Sequence, residues 1–428
     1  MRVALSTLGC KANQYDTQAM RELFENAGYD IVDFNDIADI YVINTCTVTQ
    51  TGDKKSRQMI TRAHRRNSNA KIIVTGCYSQ IAPNEVSALE GVSLVLGTAD
   101  RSRIVELADN LYSGATDFDN IPAEDKFEEI SATREGRTRA HLKIQEGCNC
   151  FCSYCIIPYA RGRVRSRSIK SVREEMVKLN EAGFSEVVLT GIHLMSYGAD
   201  FGDGTTLIDA IEQANGLNAL RRIRLGSLDP YMLTGEFNKY LAANEKICRH
   251  FHLSLQSGSD SVLKRMNRRY TAREYAQRVK QLCEKMSNCA ITTDIIVGFP
   301  GETEAEFAQT MEFVRTMAFS RIHVFPFSRR RGTKAYDLPL QVSGAIKRER
   351  TSRLIGLGKV LEHEYISQFI GTKMEVLFEE IGGADIIGHT DNYINVKARH
   401  EGSVKEGEFR YVLIEAAEDG CLRGTVIN

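Results

Sequence analysis

The chain is predicted to be an α/β protein of several domains: an N-terminal open parallel α/β sheet, a central partial (β/α)6 barrel and a small C-terminal β-barrel. Three observations predict this. Short apolar strands alternate with amphipathic helices up to about residue 112. The alternation fails over 113–134, where residues 117–129 hold six acids and one lysine, and then recurs six times through 135–365. From 366 to 428 the pattern changes to short strands separated by Gly, Asp and Asn turns. At 428 residues the chain has length for about two to four domains.

The N-terminal region, 1–112, opens with the strand Val3-Ala4-Leu5. A helix follows over Asn13–Ala27, with Ala19, Met20, Leu23, Phe24 and Ala27 on one face and Gly28 as its stop. Tyr41–Ile43, Lys71–Val74 and Ser93–Leu96 read as further strands, with a basic helix near Gly52–Arg66. This is the pattern of a parallel sheet covered by helices. The stretch 113–134 reads as a linker.

In the central region the expected strands are Ala140–Gln145, Glu186–Thr190, Ile223–Ser227, Phe251–Leu255, Thr293–Val297 and Ile322–Phe327. Six βα units fall short of a closed eight-stranded barrel, so functional residues are expected at the strand C-termini of an open one. Met374–Phe378, Ile386–His389, Tyr393–Lys397, Phe409–Ile414 and Leu422–Val426 then suggest five antiparallel strands in an OB-like barrel.

Lys+Arg and Asp+Glu are equal at 55 each, so net charge identifies no partner. Patterning is more informative. Residues 54–71 carry seven basic and no acidic side chains, 134–173 ten basic and two acidic, and 264–273 and 321–334 five basic each. Separated basic blocks in a neutral chain favour a composite anion-binding surface such as RNA requires. No apolar run approaches the roughly 20 residues of a membrane span, and the N-terminus lacks a signal-peptide pattern. A cytoplasmic protein is expected, and its eleven cysteines are expected to be reduced. Cys248, Cys283, Cys289 and Cys421 read as small buried hydrophobes.

The sharpest local signal follows the first barrel strand: Glu146-Gly-Cys148-Asn-Cys150-Phe-Cys152-Ser-Tyr154-Cys155. Cys148, Cys152 and Cys155 form C-x3-C-x2-C. Three thiolates at this spacing hold three irons of a [4Fe–4S] cluster and leave the fourth open. A structural zinc site would want four ligands, and no second knuckle is present. Three more cysteines, Cys10, Cys46 and Cys77, each come just after an apolar strand. In an open α/β sheet such positions converge on one edge. They are expected to form a second three-thiolate site for an auxiliary [4Fe–4S] cluster.

The triplet and partial barrel resemble the radical S-adenosylmethionine superfamily. In that resemblance the open iron binds the amino and carboxylate groups of S-adenosylmethionine, Tyr154 lies near the adenine, and Cys150 is no ligand. Asp294-Ile-Ile-Val-Gly298-Phe-Pro-Gly301-Glu302 is similar to the superfamily's adenine-side segment GxIxGxxGE, with Asp294 replacing the first glycine. Thr190-Gly191 and Ser254-Leu-Gln256-Ser257 stand where the superfamily contacts methionine and ribose.

Thr7-Leu-Gly-Cys-Lys-Ala-Asn-Gln-Tyr-Asp16, Asn44-Thr-Cys-Thr-Val-Thr49 and Val74-Thr-Gly-Cys77 are similar to the N-terminal motifs of the methylthiotransferases. The order of N-terminal domain, radical core and C-terminal TRAM module agrees, so the resemblance covers essentially the whole chain. The motif forms are nearest the branch that methylthiolates N6-threonylcarbamoyladenosine at tRNA position 37. The resemblance implies two [4Fe–4S] clusters, S-adenosylmethionine, a tRNA substrate, an external electron donor and a sulfur donor. Arg161, Arg163, Arg165, Arg167, Arg265 and Arg330 are candidate RNA contacts. The TRAM region has six Lys+Arg against eleven Asp+Glu, which argues for a weak grip there. Two alternatives remain at this point: methylthiolation of another tRNA adenosine or a ribosomal protein, and a non-catalytic iron–sulfur RNA-binding protein.

Overall fold

The β-branched run Ile40–Thr45 is buried along its whole length and forms the middle of the first sheet. In the computed structural model, which describes residues 1–113, 126–133, 138–382, 385–399 and 404–427, five strands surround that position. They are β1 (Arg2–Thr7), β2 (Asp30–Val32), β3 (Ile40–Thr45), β4 (Lys71–Gly76) and β5 (Val92–Val95), all parallel, in the order β2-β1-β3-β4-β5. Because both faces are covered, the strands are apolar throughout rather than alternating. Met20 and Phe24 of helix α1 (Lys11–Asn26) pack on one face with Val3, Val42 and Ile73. Ile60 and Ala63 of helix α2 (Gln50–Arg66) pack on the other with Tyr41, Ile43 and Val74. Strand β2 has no periodicity to betray it, being three residues long at the sheet edge.

The central region contains β6 (Arg139–Lys143), a two-residue pair β7 (Gln145–Glu146) and β8 (Arg165–Ser166), then β9 (Glu186–Thr190), β10 (Arg222–Leu225), β11 (His250–His252), β12 (Ala290–Val297) and β13 (Arg321–Pro326). Two parallel sheets, β10-β9-β6 and β11-β12-β13, curve toward each other. Parallel bridges Ile223–Ile247 and Leu228–Leu253 join them, completing the expected six-stranded open barrel. Leu142, Leu189, Leu225, Leu253 and Ile295 pack with helix residues such as Val172, Met176, Phe237 and Tyr275 in one large apolar cluster.

The expected linker is a packed strap where it is described. Ile130 and Ala132 are buried in the main core beside Tyr15, the Tyr15 hydroxyl donates to the Ile130 carbonyl at 2.6 Å, and Arg101 donates to Glu128 at 2.8 Å. Residues 114–125 and 134–137 lie outside the described residues.

After the long helix Gly344–Ser367 the chain closes a five-stranded barrel from β14 (Lys373–Gly382), β15 (Asp385–Thr390), β16 (Asn395–Arg399), β17 (Phe409–Glu418) and β18 (Cys421–Ile427). The order is β14-β15-β16-β18-β17. The expectation of a wholly antiparallel barrel is corrected here: β16 and β18 run parallel. This barrel sits against the starts of the central strands. Arg139 pairs with Glu379 at 2.7 Å, Arg222 reaches Glu375, and Arg224 donates to the Asp391 carbonyl at 3.0 Å. Among the described residues, no helix is long and apolar enough to cross a membrane.

Candidate metal centres and substrate cavity

Cys10 is the N-cap of α1, Cys46 follows β3, and Cys77 begins the short helix α3 (Cys77–Ile81) directly after β4. The parallel sheet therefore delivers all three to its C-terminal edge, as expected. Gly9 shows how close they come. It has φ +105°, and a Cβ there would lie 2.9 Å from Cys46 Cβ and 3.0 Å from its sulfur. Burial raises the Cys77 thiol to about 11, the Cys10 and Cys46 charges add to this, and Arg161 opposes it. Cys46 is raised for the same first reason. The Arg161 Nε–H donates to Cys77 Sγ at 3.2 Å.

The second thiol set lies on the loop after β7. Gly147 makes that loop possible: its φ is +73°, and a Cβ would sit 1.8 Å from the Arg163 carbonyl oxygen. The Cys148 N–H donates to the Gly162 carbonyl at 3.1 Å. The charges of Cys152 and Cys155 both act on Cys148, so the three thiols form one cluster. Arg268 stands beside them, with one N–H directed to Cys152 Sγ at 3.5 Å and another to Asp229 Oδ2 at 3.4 Å. Cys150 lies between the two groups: its thiol hydrogen-bonds Cys148, its N–H donates to Cys148 Sγ at 3.5 Å, and its sulfur is 3.6 Å from His193 Nε2. Burial works against charge on His193, but Asp229 and Cys150 outweigh it and push the imidazole up to about 9.

Both thiol sets suit an anionic iron–sulfur group. Each offers three sulfurs and has a buried guanidinium, Arg161 or Arg268, against one of them. Such a donor set could hold three irons of a cubane.

The residues expected on the S-adenosylmethionine side are distributed around the barrel mouth with one exception. Tyr154 packs beside Val262, Met266, Phe299 and Phe327. Thr190 and Gly191 line the main cavity. The Ser254 hydroxyl is 3.3 Å from that of Ser227, and its carbonyl accepts from the Tyr270 hydroxyl at 2.6 Å. Gln256 adopts φ +71° and donates its N–H to the Asp294 carbonyl. The Asp294 carboxylate lies 3.2 Å from His252. The Gly298 N–H donates to Glu302 at 2.6 Å, and the Gly301 N–H to the Leu340 carbonyl. Ser257 is the exception: fully buried, its hydroxyl faces Thr310 at 3.3 Å and accepts the Ser259 N–H, so it secures a turn.

The arginines expected on an RNA surface are mostly interior, which is a correction. Arg161 and Arg167 are each 1 % exposed, and Arg165 and Arg330 are also buried. Arg161 donates to Glu146 at 2.6 Å, Arg167 to the Ile130 carbonyl at 2.6 Å, and Arg330 to Asp53 at 2.6 Å. Arg265 is bidentate to Glu306 at 2.9 Å. Only Arg163 of the six is exposed. The alternation turns Arg161, Arg165 and Arg167 inward, where Arg161 pairs with Glu146, Arg165 donates to the Arg161 carbonyl, and Arg167 donates to backbone carbonyls and the Tyr15 hydroxyl. The exposed basic surface is elsewhere: Lys54, Arg57, Arg62, Arg65 and Arg66 line a groove along α2.

Sequence reasoning missed a buried charge cluster between the domains. Asp16 accepts from Arg101 and Lys143 and lies 3.6 Å from Arg161; Glu146 accepts from Arg161 at 2.6 Å and Lys143 at 3.1 Å. With Glu128 on Arg101, three acids face three bases. The members are scattered along the chain, so no spacing reveals them. The one visible hint was Glu146 preceding Gly147-Cys148.

A cavity of about 630 Å³ lies between the three regions. Cys10, Lys11 and Val48 border it from the first, Thr190, Gly191, Gly226 and Ser227 from the barrel, and Tyr393 and Asn395 from the C-terminal barrel. Lys11 is open to this space, and desolvation by the surrounding protein lowers its ammonium below the ordinary range, with Tyr393 and Glu186 opposing and Arg224 and Arg139 adding to the effect.

Residues 2–97 match the uncharacterized protein family UPF0004 and residues 142–314 the radical SAM superfamily. A threonylcarbamoyladenosine tRNA methylthiotransferase, MtaB, from Bacillus subtilis is 45 % identical over 92 % of this chain and 89 % of its own length. One of the same name from Aquifex aeolicus is 39 % identical over 97 % of this chain and all of its own length. A tRNA-2-methylthio-N(6)-dimethylallyladenosine synthase from Pelotomaculum thermopropionicum is 35 % identical over 87 % of this chain and 85 % of its own. In fold, the chain is similar to the radical S-adenosylmethionine methyltransferase TsrM from Kitasatospora setae, with a TM-score of 0.58 at 18 % identity, covering 78 % of this chain and 77 % of that one. With identity at this level along nearly its whole length, the chain belongs to the radical S-adenosylmethionine methylthiotransferase family.

Proposed function

We propose that the protein converts N6-threonylcarbamoyladenosine at position 37 of tRNA to its 2-methylthio derivative, using S-adenosylmethionine. The observation that carries this reading is the cavity on which both halves of the chemistry border: Cys10 of the first thiol set lies across it from the barrel strand ends. The relatives that bear the threonylcarbamoyladenosine name support the choice of substrate.

Cys148, Cys152 and Cys155 would hold one [4Fe–4S] cluster, which would supply the one-electron chemistry that activates S-adenosylmethionine toward C2 of the adenine. Cys10, Cys46 and Cys77 would hold the other, which would supply a soft-ligand platform for the sulfur to be inserted. A second S-adenosylmethionine supplies the methyl group, and an external electron donor and a sulfur donor complete the cycle. The protein's own part is positional. Arg268 links Cys152 to Asp229, and so orients the signature loop against β10 and β11. The three-acid, three-base cluster holds the N-terminal domain against the barrel. The pocket, about 630 Å³, falls within the roughly 300–1,000 Å³ typical of small-ligand sites. Phosphates of the tRNA would rest on the basic groove of α2. A tRNA substrate implies a cytoplasmic site of action.

The test is nucleoside mass spectrometry of tRNA treated with anaerobically reconstituted enzyme. Threonylcarbamoyladenosine should gain a methylthio group. Equal turnover of isopentenyl-modified or unmodified adenosine rejects the substrate while leaving the enzyme class intact.

A further inference from the structure

The cavity has charged residues of three kinds on its wall, and they are not equivalent. Arg321 donates two N–H groups to Glu362, which neutralises both. His250 is fully enclosed, and burial holds it neutral. Lys11 alone is a cation with no hydrogen bond or ion pair among the described residues, although its side chain opens into the cavity. The neighbouring guanidinium groups are already used, Arg139 by Glu379 and Arg224 by Glu186. A solvent-accessible ammonium on the cavity wall that no protein carboxylate pairs is free to bind an anion carried by the substrate.

The position of Lys11 says which part of a substrate that anion belongs to. Lys11 directly follows Cys10, at the first turn of α1. In adenine, C2 and the carbon bearing N6 both flank N1, so a substituent on N6 lies beside C2 on the same edge of the ring. A base presented with C2 toward the Cys10 site therefore brings its N6 substituent toward the residue next to Cys10. Among the N6 groups that the family's relatives carry, a dimethylallyl arm is neutral, and a threonylcarbamoyl arm ends in a carboxylate.

We infer that Lys11 is the specificity-determining residue for the N6 substituent, its ammonium binding the threonyl carboxylate. This rests on the substrate reading above and deepens it. A charge-assisted contact in an enclosed pocket distinguishes a carboxylate from its neutral isostere by about tenfold or more.

The experiment measures binding of anticodon stem-loop RNA to the reconstituted protein. One RNA carries the threonylcarbamoyl group, a second carries it with the carboxylate as a primary amide, and a third is unmodified. S-adenosylmethionine is omitted, so its own carboxylate cannot occupy the site. The wild-type protein should prefer the carboxylate over the amide by about tenfold. Lys11→Gln should bind both alike, and Lys11→Arg, which keeps the charge, should retain most of the preference. Iron content of each variant checks that the neighbouring thiol site survives, and Lys11→Met against Lys11→Arg repeats the comparison should the glutamine variant lose iron. A full preference retained in Lys11→Gln or Lys11→Met overturns the assignment and leaves the substrate reading standing. Wild-type protein that binds all three RNAs equally and methylthiolates the unmodified one as well overturns both.

Discussion

Arg161 donates from Nε to Cys77 Sγ at 3.2 Å and from a terminal nitrogen to Glu146 at 2.6 Å, so one buried guanidinium ties the N-terminal thiol site to the residue that opens the radical signature. Burial penalises its charge, and the fields of Cys77, Glu146, Cys10 and Asp16 together more than offset that penalty. Removing it leaves two buried acids with less than their complement of bases. Arg161→Leu should destabilise the protein by about 3–5 kcal/mol and loosen the N-terminal domain from the barrel. Chemical denaturation of the anaerobic protein and protease sensitivity between the domains would measure both. An Arg161→Leu protein as stable as the wild type would mean the cluster is not an interdomain lock.

The two thiol sets are expected to do different work. Cys46→Ala should still form 5′-deoxyadenosine under reducing conditions but make no methylthio product, because its site lies on the other domain from Cys148, Cys152 and Cys155. Iron should fall from about eight to about four per chain. A folded Cys46→Ala protein that keeps normal methylthio formation contradicts the role given to that site.

Cys150 sits inside the signature with its sulfur shared between Cys148 and His193, and the C-x3-C-x2-C spacing leaves it outside the proposed ligand set. Cys150→Ser should therefore retain barrel iron and S-adenosylmethionine cleavage, whereas Cys152→Ser should lose both. Parallel iron assays on the two variants make the comparison, and iron loss in Cys150→Ser would mean that another thiol set binds the metal.

The basic groove on α2 should contribute phosphate contacts. Changing Lys54, Arg65 and Arg66 together to Gln should weaken tRNA binding and reduce the slope of log affinity against log salt by about two to three. The stem-loop preference for threonylcarbamoyl should be unaffected, since the groove does not line the cavity. An unchanged salt slope would move the RNA footprint to another face.

Arg265 and Glu306 give a pH dependence whose sign follows from the pair. Hydrogen bonding from Arg265 is the largest cause holding Glu306 down to about 2, against about 4.3 in an unfolded chain. A depressed carboxyl pKa stabilises the fold above the unfolded value, and that stability is lost as pH falls through about 2. The pair is partly exposed, so Glu306→Gln should cost about 1 kcal/mol at pH 7. Urea melts should show the gap between mutant and wild type shrinking below about pH 4. A gap that is constant down to pH 2 would contradict a charge-dependent role for Glu306.

The sequence by itself determined the three-part architecture and both thiol sets, because those features are local. Apolar runs such as Ile40–Ile43 and Val187–Leu189 and the C-x3-C-x2-C spacing depend on near neighbours. Even the convergence of Cys10, Cys46 and Cys77 follows from each standing after a parallel strand. The tertiary structure alone decided which arginines are interior, that the strap at 126–133 is packed, and that β16 and β18 run parallel. It also decided that Lys11 has no hydrogen bond or ion pair among the described residues while Arg139 and Arg224 do. Charge is where the two diverge: an arginine in a sequence looks the same whether it faces water or a carboxylate 85 or 127 residues away, as Arg101 and Lys143 do on Asp16. Pairing across such separations is set by how the domains close on one another, and the energy of a charge depends on that enclosure more than on its place in the chain.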